Sequence, residues 1–390
     1  MIDSLSKYQC TGCSACQIAC PKQAISMNED QEGFLYPQID YTLCVKCYKC
    51  DDVCQSIKPL EKTKSTPSVY GAIARDENIR LSSSSGGVFP LLAQYILSLG
   101  GIVFGAAFDN ELNVVHIGIN SATDINKLQG SKYVQSRIGN VFYQIKNELE
   151  KGRYVLFVGT PCQVNGLLHF LPHLYERLYT VDFICHGVPS PKVWREYLKE
   201  LTCQYGNIIN PPKCTFRSKK TGWLNYSISI PFKSPYCCTK DKDPYLLAFL
   251  KNLCLRQSCY SCNAKGMSRN SDITLADFWA IKKFAPYLFD NKGASLIFIH
   301  SEKGKYIVDK EKNNLELWNV DLEKLEPYIV SAYTSAKLNK HKREKFMKMI
   351  GEKPLDYLIR KYEKDSYIYR IKVFIMAVIL KIIGKKSKWD

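Results

Sequence analysis

The pattern of apolar and polar positions divides the chain into a short head, a long body and a tail. In the head, residues 24–40 (AISMNEDQEGFLYPQID) are apolar at both ends and polar in the middle. This pattern, with Gly33 in its turn, predicts two strands joined as a hairpin. A polar, proline-bounded stretch follows and predicts a linker. The predicted organisation is a head at 1–58, a linker at 59–67, a body at 68–330 and a helical tail at 331–390.

Strands and helices alternate along the body. The predicted elements are a strand at 69–76, a helix at 88–99, a strand at 101–109, a helix at 140–150 and a buried strand at 154–159 followed by another helix. A further strand, turn and helix follow in VDFICHGVPSPKVWREYL (181–198). This alternation predicts an α/β fold, with functional residues at the carboxyl ends of its strands. The head, with its hairpin, predicts a separate α+β unit.

Cysteine usage changes the picture from fold to chemistry. The 390 residues contain 17 cysteines, and the first ten residues lack the apolar run of a secretory signal. We therefore expect a cytoplasmic protein in a reducing compartment, where metal or redox chemistry is the leading use of thiols.

The net charge of +17 is concentrated near the end of the chain. Residues 337–390 hold sixteen Lys or Arg against six Asp or Glu, a net +10. The apolar stretch 373–380 is far shorter than the roughly 20 residues of a membrane span. The tail is expected either to make peripheral contact with the inner face of the membrane or to present a solvated helical face docked on the body. No nucleic-acid-binding module is recognisable in it.

Eight cysteines form two copies of one spacing, C-x2-C-x2-C-x3-C. The first copy is Cys10, Cys13, Cys16 and Cys20, followed by Pro21; the second is Cys44, Cys47, Cys50 and Cys54, followed by Gln55. Two-residue gaps let the first three thiolates of a run hold one 4Fe–4S cluster, while the fourth ligates the other cluster. The predicted sets are Cys10, Cys13, Cys16 and Cys54 for one cluster, and Cys20, Cys44, Cys47 and Cys50 for its partner.

Zinc is the alternative occupant of such a head, but zinc sites favour separated C-x2-C pairs. The repeated spacing resembles a bacterial two-cluster ferredoxin over about 55 residues. That resemblance implies one-electron transfer.

The body holds a second group of candidates. SSSSGG (82–87) opens a predicted helix, where backbone amides bind phosphate well; a capped helix start explains the segment more simply on spacing alone. No G-x-G-x-x-G motif supports a nicotinamide site. Cys162 and Cys185 follow predicted strands, and Cys259 and Cys262 form a C-x2-C pair, typical of zinc, cluster or redox sites. A site of four thiolates is plausible, but spacing alone does not establish it.

Several ordered motifs resemble the beta-subunit family of coenzyme F420 hydrogenases and dehydrogenases. They are GSKYVQS, VLFVGTPCQVNGL, ICHGVPSPKVW, FRSKKTGW and LRQSCYSC…SDITLADFW, between about residues 69 and 298. The resemblance implies a body that binds FAD and a third 4Fe–4S cluster. Ala276 and Ala280 stand where glycines are common in relatives.

The resemblance also implies roles for individual residues. The third cluster would be held by Cys162, Cys185, Cys259 and Cys262, with Cys254 in reserve. The loop around Ser84, Gly86 and Gly87 corresponds to the family's flavin-binding entry, and Lys132, Gln135 and Thr160 would help to line the flavin site.

These features predict an oxidoreductase that passes electrons between a hydride donor, FAD and clusters to a redox protein or enzyme subunit. The donor implied by the resemblance is reduced coenzyme F420. The alternatives are the same machinery acting in surface polysaccharide synthesis without F420, and a non-catalytic electron-transfer subunit. The cofactors would carry the chemistry, so no nucleophilic side chain is predicted.

Overall fold

A computed structural model describes residues 2–61, 66–209 and 214–362 of the chain. The strands in these ranges are β1 (Ile25–Glu29), β2 (Leu35–Ile39), β3 (Ser68–Ala74), β4 (Ile102–Phe108), β5 (Val114–Ile119), β6 (Val155–Val158), β7 (Leu178–Phe183), β8 (Thr215–Ser218), β9 (Ser227–Ile230), β10 (Tyr236–Thr239), β11 (Ile273–Asp277), β12 (Ser295–Ile299) and β13 (Leu315–Asn319). The α-helices are α1 (Ala15–Ala19), α2 (Lys49–Asp52), α3 (Glu77–Ser82), α4 (Val88–Ser98), α5 (Ile125–Leu128), α6 (Val141–Glu150), α7 (Pro161–Phe170), α8 (Pro191–Tyr205), α9 (Pro244–Leu250), α10 (Ile281–Phe284), α11 (Glu302–Lys310), α12 (Leu322–Leu325), α13 (Val330–Tyr333) and α14 (Lys340–Lys348). Residues 355–362 are also helical.

The head is a β-hairpin with two short helices. β1 and β2 pair antiparallel, with Ile25 opposite Ile39. Gly33, in the turn between them, has a φ of +87°, a conformation that favours glycine. The predicted strand–turn–strand is therefore confirmed. Ile25 and Ile39 pack with Ile2 and Cys16, so the hairpin buries its apolar face against the cysteine loops.

Eight strands form the main sheet of the body, in the order β13-β3-β12-β11-β7-β6-β4-β5. The four strands β11, β7, β6 and β4 run parallel, and the outer strands join antiparallel. The carboxyl ends of the parallel strands therefore share one edge of the sheet, the place where open α/β sheets bind ligands. The predicted α/β architecture is confirmed.

Helices cover both faces of this sheet. Leu156 and Phe157 are consecutive in β6 and so point to opposite faces. Leu156 lies in a core with Ile96 of α4 and residues of α11, whereas Phe157 packs with α6 and α7. The helices predicted at 88–99 and 140–150 are confirmed as α4 and α6. Ala15 of α1 belongs to the second core, which means that the head packs against the α6–α7 face.

A three-stranded sheet, β10-β9-β8, forms a second layer beside the main sheet. Its core contains Trp194 of α8, Tyr245 of α9 and Phe346 of α14. The first part of the predicted tail thus packs on the body through α14. Residues 363–390, with the apolar stretch 373–380, lie outside the described residues, and the membrane contact stays a prediction. No helix within the described ranges has the length and apolarity needed to cross a bilayer.

Candidate functional site

The first cysteine run forms a cavity with the last cysteine of the second run. Gly12 and Ser14 have φ of +71° and +64°, and these left-handed bends turn the loop around the cavity. The cavity has a volume of about 330 Å³, and its lining includes Cys10, Cys13, Cys16 and Cys54. We call this the inner cavity. The cysteines grouped by spacing are therefore together in the fold.

The complementary set lines a second cavity of about 380 Å³, the outer cavity. Lys46 and Tyr48 supply its left-handed bends, with φ of +54° and +59°. Its lining includes Cys20, Cys44, Cys47 and Cys50. Cys20 reaches this cavity because α1 carries it away from the other cysteines of its run. Both cavities fit a group held by four thiolates.

Four body cysteines converge at the carboxyl edge of the main sheet. Cys162 lies at the start of α7, after β6; Cys185 follows β7; Cys259 and Cys262 lie in and just after the turn Gln257–Ser261. Burial, together with neighbouring thiols of the group, raises the pKa of Cys185 and of Cys259 to about 12. Burial also raises the pKa of Cys162, and the nearby Cys262 and Cys185 add to the shift. The four cysteines are all partly buried. Thiols that neighbour one another suit a metal centre, because a bound metal provides the positive charge that ionises them.

Cys254 lies elsewhere. It is 0% exposed in the core formed by α8, α9 and the three-stranded sheet. Burial raises its pKa to about 12, and the charged neighbour that acts on it is Arg343 rather than a thiol of the converging group. The fold therefore separates the reserve candidate from the other four.

The serine–glycine loop closes the amino end of α4. Ser84 Oγ accepts hydrogen bonds from the amide and the hydroxyl of Ser131, at 2.7 and 3.0 Å. Gly87 has a φ of +92°. A Cβ on Gly86 would lie 2.3 Å from the Ala72 carbonyl oxygen and 2.7 Å from the Ser295 amide nitrogen. Both glycines are thus required by the backbone itself, whatever the loop binds.

This requirement makes a stability prediction. Gly86→Ala should lower the free energy of unfolding by about 3 kcal/mol, because its two close neighbours are backbone atoms of strands and cannot yield easily. Gly105→Ala is the matched control, since its Cβ would meet only Leu128 at 3.5 Å and should cost less than about 1 kcal/mol. Urea midpoints of the two variants measure the difference; equal midpoints would contradict the argument.

The remaining predicted flavin residues occupy different places. Lys132 Nζ donates to the carbonyls of Leu128, Gln129 and Gly130, and burial lowers its pKa to about 7. Thr160 begins α7, with its hydroxyl 3.1 Å from the Cys162 sulfur. Gln135 instead lies against the head, where its amide donates to the Thr11 carbonyl and accepts from Arg256.

A group of cationic and aromatic side chains lies beside the serine loop, and the sequence analysis assigned these residues no function. Arg217 pairs with Asp277 through two hydrogen bonds of 2.9 and 3.1 Å and donates to the Ser84 carbonyl. Its guanidinium lies over the rings of Tyr226 and Trp279, 4.2 and 4.9 Å from their centroids. The signal that could have found it is present in the motifs FRSKKTGW and LADFW, which contain Arg217 and Asp277.

Two observations suit a polar, ring-bearing ligand at this place. Arg217 Nε is buried with no hydrogen-bond partner among the described residues, as expected where a bound group supplies the acceptor. Trp279 is 44% exposed and stacks on Trp223 with centroids 4.6 Å apart, which leaves a flat aromatic surface.

The comparisons with known proteins define the class. Residues 9–56 match the model of the 4Fe-4S dicluster domain. Residues 152–324 match the model of the carboxy-terminal part of the beta subunit in coenzyme F420 hydrogenase/dehydrogenase. The head therefore matches a dicluster iron–sulfur domain, and residues 152–324 of the body match the carboxy-terminal part of this beta-subunit family. The resemblance predicted from the motifs is confirmed.

Two individual proteins are similar to the chain. The coenzyme F420-dependent sulfite reductase of Methanocaldococcus jannaschii is 27% identical over 330 residues, 81% of this chain and 48% of that protein. The chain thus spans about half the length of the curated relative that it matches. A chain of the F420-reducing [NiFe] hydrogenase complex from Methanosarcina barkeri aligns with 18% identity and a TM-score of 0.48, covering 70% of this chain and 92% of that one.

Proposed function

We propose that this chain is an iron–sulfur flavoprotein oxidoreductase that exchanges electrons between a hydride donor and a one-electron redox partner. The observation that carries the proposal is the convergence of Cys162, Cys185, Cys259 and Cys262 at the sheet edge. This group neighbours the head, since Cys13 contributes to the raised pKa of Cys162. It also neighbours the serine loop. β7 leads to Cys185 and pairs with β11, which ends at Asp277. Asp277 in turn binds Arg217, which donates to the Ser84 carbonyl. These cysteines are the ligands that we propose for a third 4Fe–4S cluster, between the flavin site and the head.

The proposed flavin site is formed by Ser84, Gly86 and Gly87, with Lys132, and with Thr160 beside Cys162. Arg217 positions the loop through the Ser84 carbonyl and presents its unpartnered Nε. Trp279 offers a surface on which a flat ring can stack. When bound, FAD supplies the step between two-electron and one-electron chemistry, and 4Fe–4S clusters carry single electrons. The flavin contact predicted for Gln135 would have to compete with the bonds that its amide makes to the head.

The outer cavity is the proposed exit toward the partner. Residues 41–49 include five that line it, and all nine are exposed apart from Cys44, which is partly buried. Tyr41, Leu43, Val45 and Tyr48 are large apolar side chains open to solvent there. An exposed apolar rim around a redox centre suits the docking of a one-electron partner protein.

The hydride donor that we propose is reduced coenzyme F420. The family match and the name of the M. jannaschii relative motivate this donor. NADH is the comparison donor for an assay, because the chain shows no nicotinamide-binding glycine motif.

Flavin content tests the proposal. The full chain, purified without oxygen, should release about one FAD, and reduced F420 should then bleach the iron–sulfur absorbance faster than NADH does. Iron content, measured on the same sample, is the control for cluster integrity.

Absence of flavin from protein with intact clusters, together with no uptake on reconstitution, would contradict the proposal. That result would leave a non-catalytic electron relay as the function.

A further inference from the structure

The head and the body meet at the inner cavity. Gly166 of α7 lies against Cys13, so closely that a Cβ on this glycine would be 2.8 Å from Cys13 Cβ and 3.0 Å from its sulfur. Gly166 is one turn of helix beyond Cys162, and the two residues share a face of α7. The inner cavity, rather than the outer one, therefore faces the body cysteines.

Gln55 joins the same two places. Its side-chain amide donates to the Cys162 carbonyl at 2.6 Å. A second hydrogen bond from this side chain lowers the pKa of Cys13, although burial raises that pKa overall. The first cysteine run has a proline at the equivalent position, Pro21, which has no side-chain donor. The position at which the two cysteine runs differ, Gln55 against Pro21, is therefore also a position at which the head contacts the body.

Arg256 of the body reaches into the head beside the inner cavity. It is 0% exposed and lies three residues before Cys259. Its guanidinium donates to the Cys10 carbonyl at 2.9 Å, to the Leu35 carbonyl at 3.0 Å and to the Gln135 side-chain oxygen at 3.0 Å. It also lies 3.5 Å from the Cys10 sulfur. All of these partners are uncharged oxygens or a cysteine sulfur.

We propose that Arg256 raises the reduction potential of the 4Fe–4S cluster held by Cys10, Cys13, Cys16 and Cys54. Reduction adds one negative charge to a cluster and its thiolates. A buried cation with an N–H directed at a ligand sulfur stabilises that charge, because both net charge and hydrogen bonds to sulfur set cluster potentials. An electron that leaves the body would then be accepted more readily by the cluster of the inner cavity than by that of the outer cavity. No cation corresponding to Arg256 is present in the described lining of the outer cavity, whose lysines, Lys22 and Lys49, are exposed.

Arg256 would adjust the reduction potential of the cluster and would not take part in chemistry at the substrate. This role rests on the proposed function, in that the head must hold two clusters. Iron and sulfide analysis of the unmodified full chain comes first for this reason. Fewer than about eight irons per chain would contradict the two-cluster head itself and not the role of Arg256.

The test is a redox titration of the full-length chain followed by electron paramagnetic resonance. The inner signal is identified with Cys16→Ser, which changes one ligand of that cluster only. Arg256→Gln should then lower the ratio of reduced to oxidised inner cluster at least tenfold at a fixed potential, about 59 mV for one electron. The signal of the outer cluster should not move.

Arg343→Gln is the matched control. Arg343 is also a buried arginine between body and head, but its guanidinium pairs with Glu32 at 2.6 and 2.8 Å and donates to the Leu255 carbonyl, away from any cluster sulfur. Arg343→Gln should loosen the interface between head and body without shifting the reduction potential of the inner cluster. An unchanged potential in Arg256→Gln, or an equal shift in both variants, would overturn the proposal.

Arg256→Lys covers the case in which Arg256→Gln loses its inner cluster. Lysine keeps the charge but cannot maintain the four contacts of the planar guanidinium. A smaller shift of the same sign supports the proposal, and an unchanged or raised potential contradicts it.

Discussion

Cys162→Ala is expected to remove about one third of the iron from the anaerobically purified protein and to stop electron transfer from flavin to the head. The proposed third cluster would account for four of about twelve irons, and these four would depend on Cys162, since a 4Fe–4S cluster needs all of its thiolates. The eight cysteines of the head are untouched by the change. Iron analysis and anaerobic reduction followed by electron paramagnetic resonance measure the two effects: the head signals should be retained but no longer reached from the flavin.

Cys254→Ala is the control for this variant. Cys254 is fully buried and only eight residues from Cys262 in sequence, but it packs in the core of α8 and α9. Its replacement should cost about 1 kcal/mol of stability and no iron. Loss of iron in Cys254→Ala, or full iron in Cys162→Ala, would contradict the proposed ligand set.

Asp277→Asn is expected to lower the free energy of unfolding by about 3 kcal/mol and to reduce flavin content severalfold. The change leaves Arg217 charged and buried, with its side chain 2% exposed and its carboxylate partner gone. Burial lowers the pKa of Arg217 but the Asp277 carboxylate holds it above its usual range. Without that carboxylate the arginine still keeps its proton, because a guanidinium loses its proton only above about pH 12, and it therefore bears the cost of burial as an unpaired charge. Urea midpoints and released flavin measure the two effects.

The comparison variant is Asp290→Asn. Asp290 also binds an arginine, Arg80, through two hydrogen bonds of 2.7 and 2.6 Å, but its side chain is 40% exposed. Water can replace much of that interaction, and a cost of less than about 1 kcal/mol is expected. If Asp290→Asn destabilised the protein as much as Asp277→Asn, burial of the ion pair would not be the cause.

The sequence predicts the head better than it predicts the body sites. A two-residue gap between cysteines constrains a loop locally, so spacing alone indicates which three cysteines of each run face one cavity. The same repeat also indicates that the fourth cysteine of each run, Cys20 or Cys54, joins the cavity of the other run. In the body, Cys162, Cys185 and Cys259 come from separate segments, and only the parallel order of β6 and β7 brings the first two to one edge.

The contacts of Gln135 and Arg256 could not be predicted from local sequence patterns. The family resemblance of the motif GSKYVQS implies a place for Gln135 at the flavin site, yet its amide bonds to Thr11 and to Arg256 at the surface of the head. No periodicity relates residue 256 to residue 10. Arg217 and Asp277 are likewise 60 residues apart, and their pairing depends on how β8 and β11 pack.

By itself, the sequence determined the eight-cysteine head, the hairpin, the alternating elements of the body and the family that they resemble. These features depend on neighbours a few residues apart, whose spacing decides loop shape, strand alternation and helix faces. The tertiary structure alone decided which cavity faces the body, which buried cysteine stands apart and which arginine lies beside a cluster sulfur. Such contacts depend on the order of strands in the sheet and on the packing of the head against α7. Both are set by burial of apolar surface over the whole chain, so no single segment specifies them.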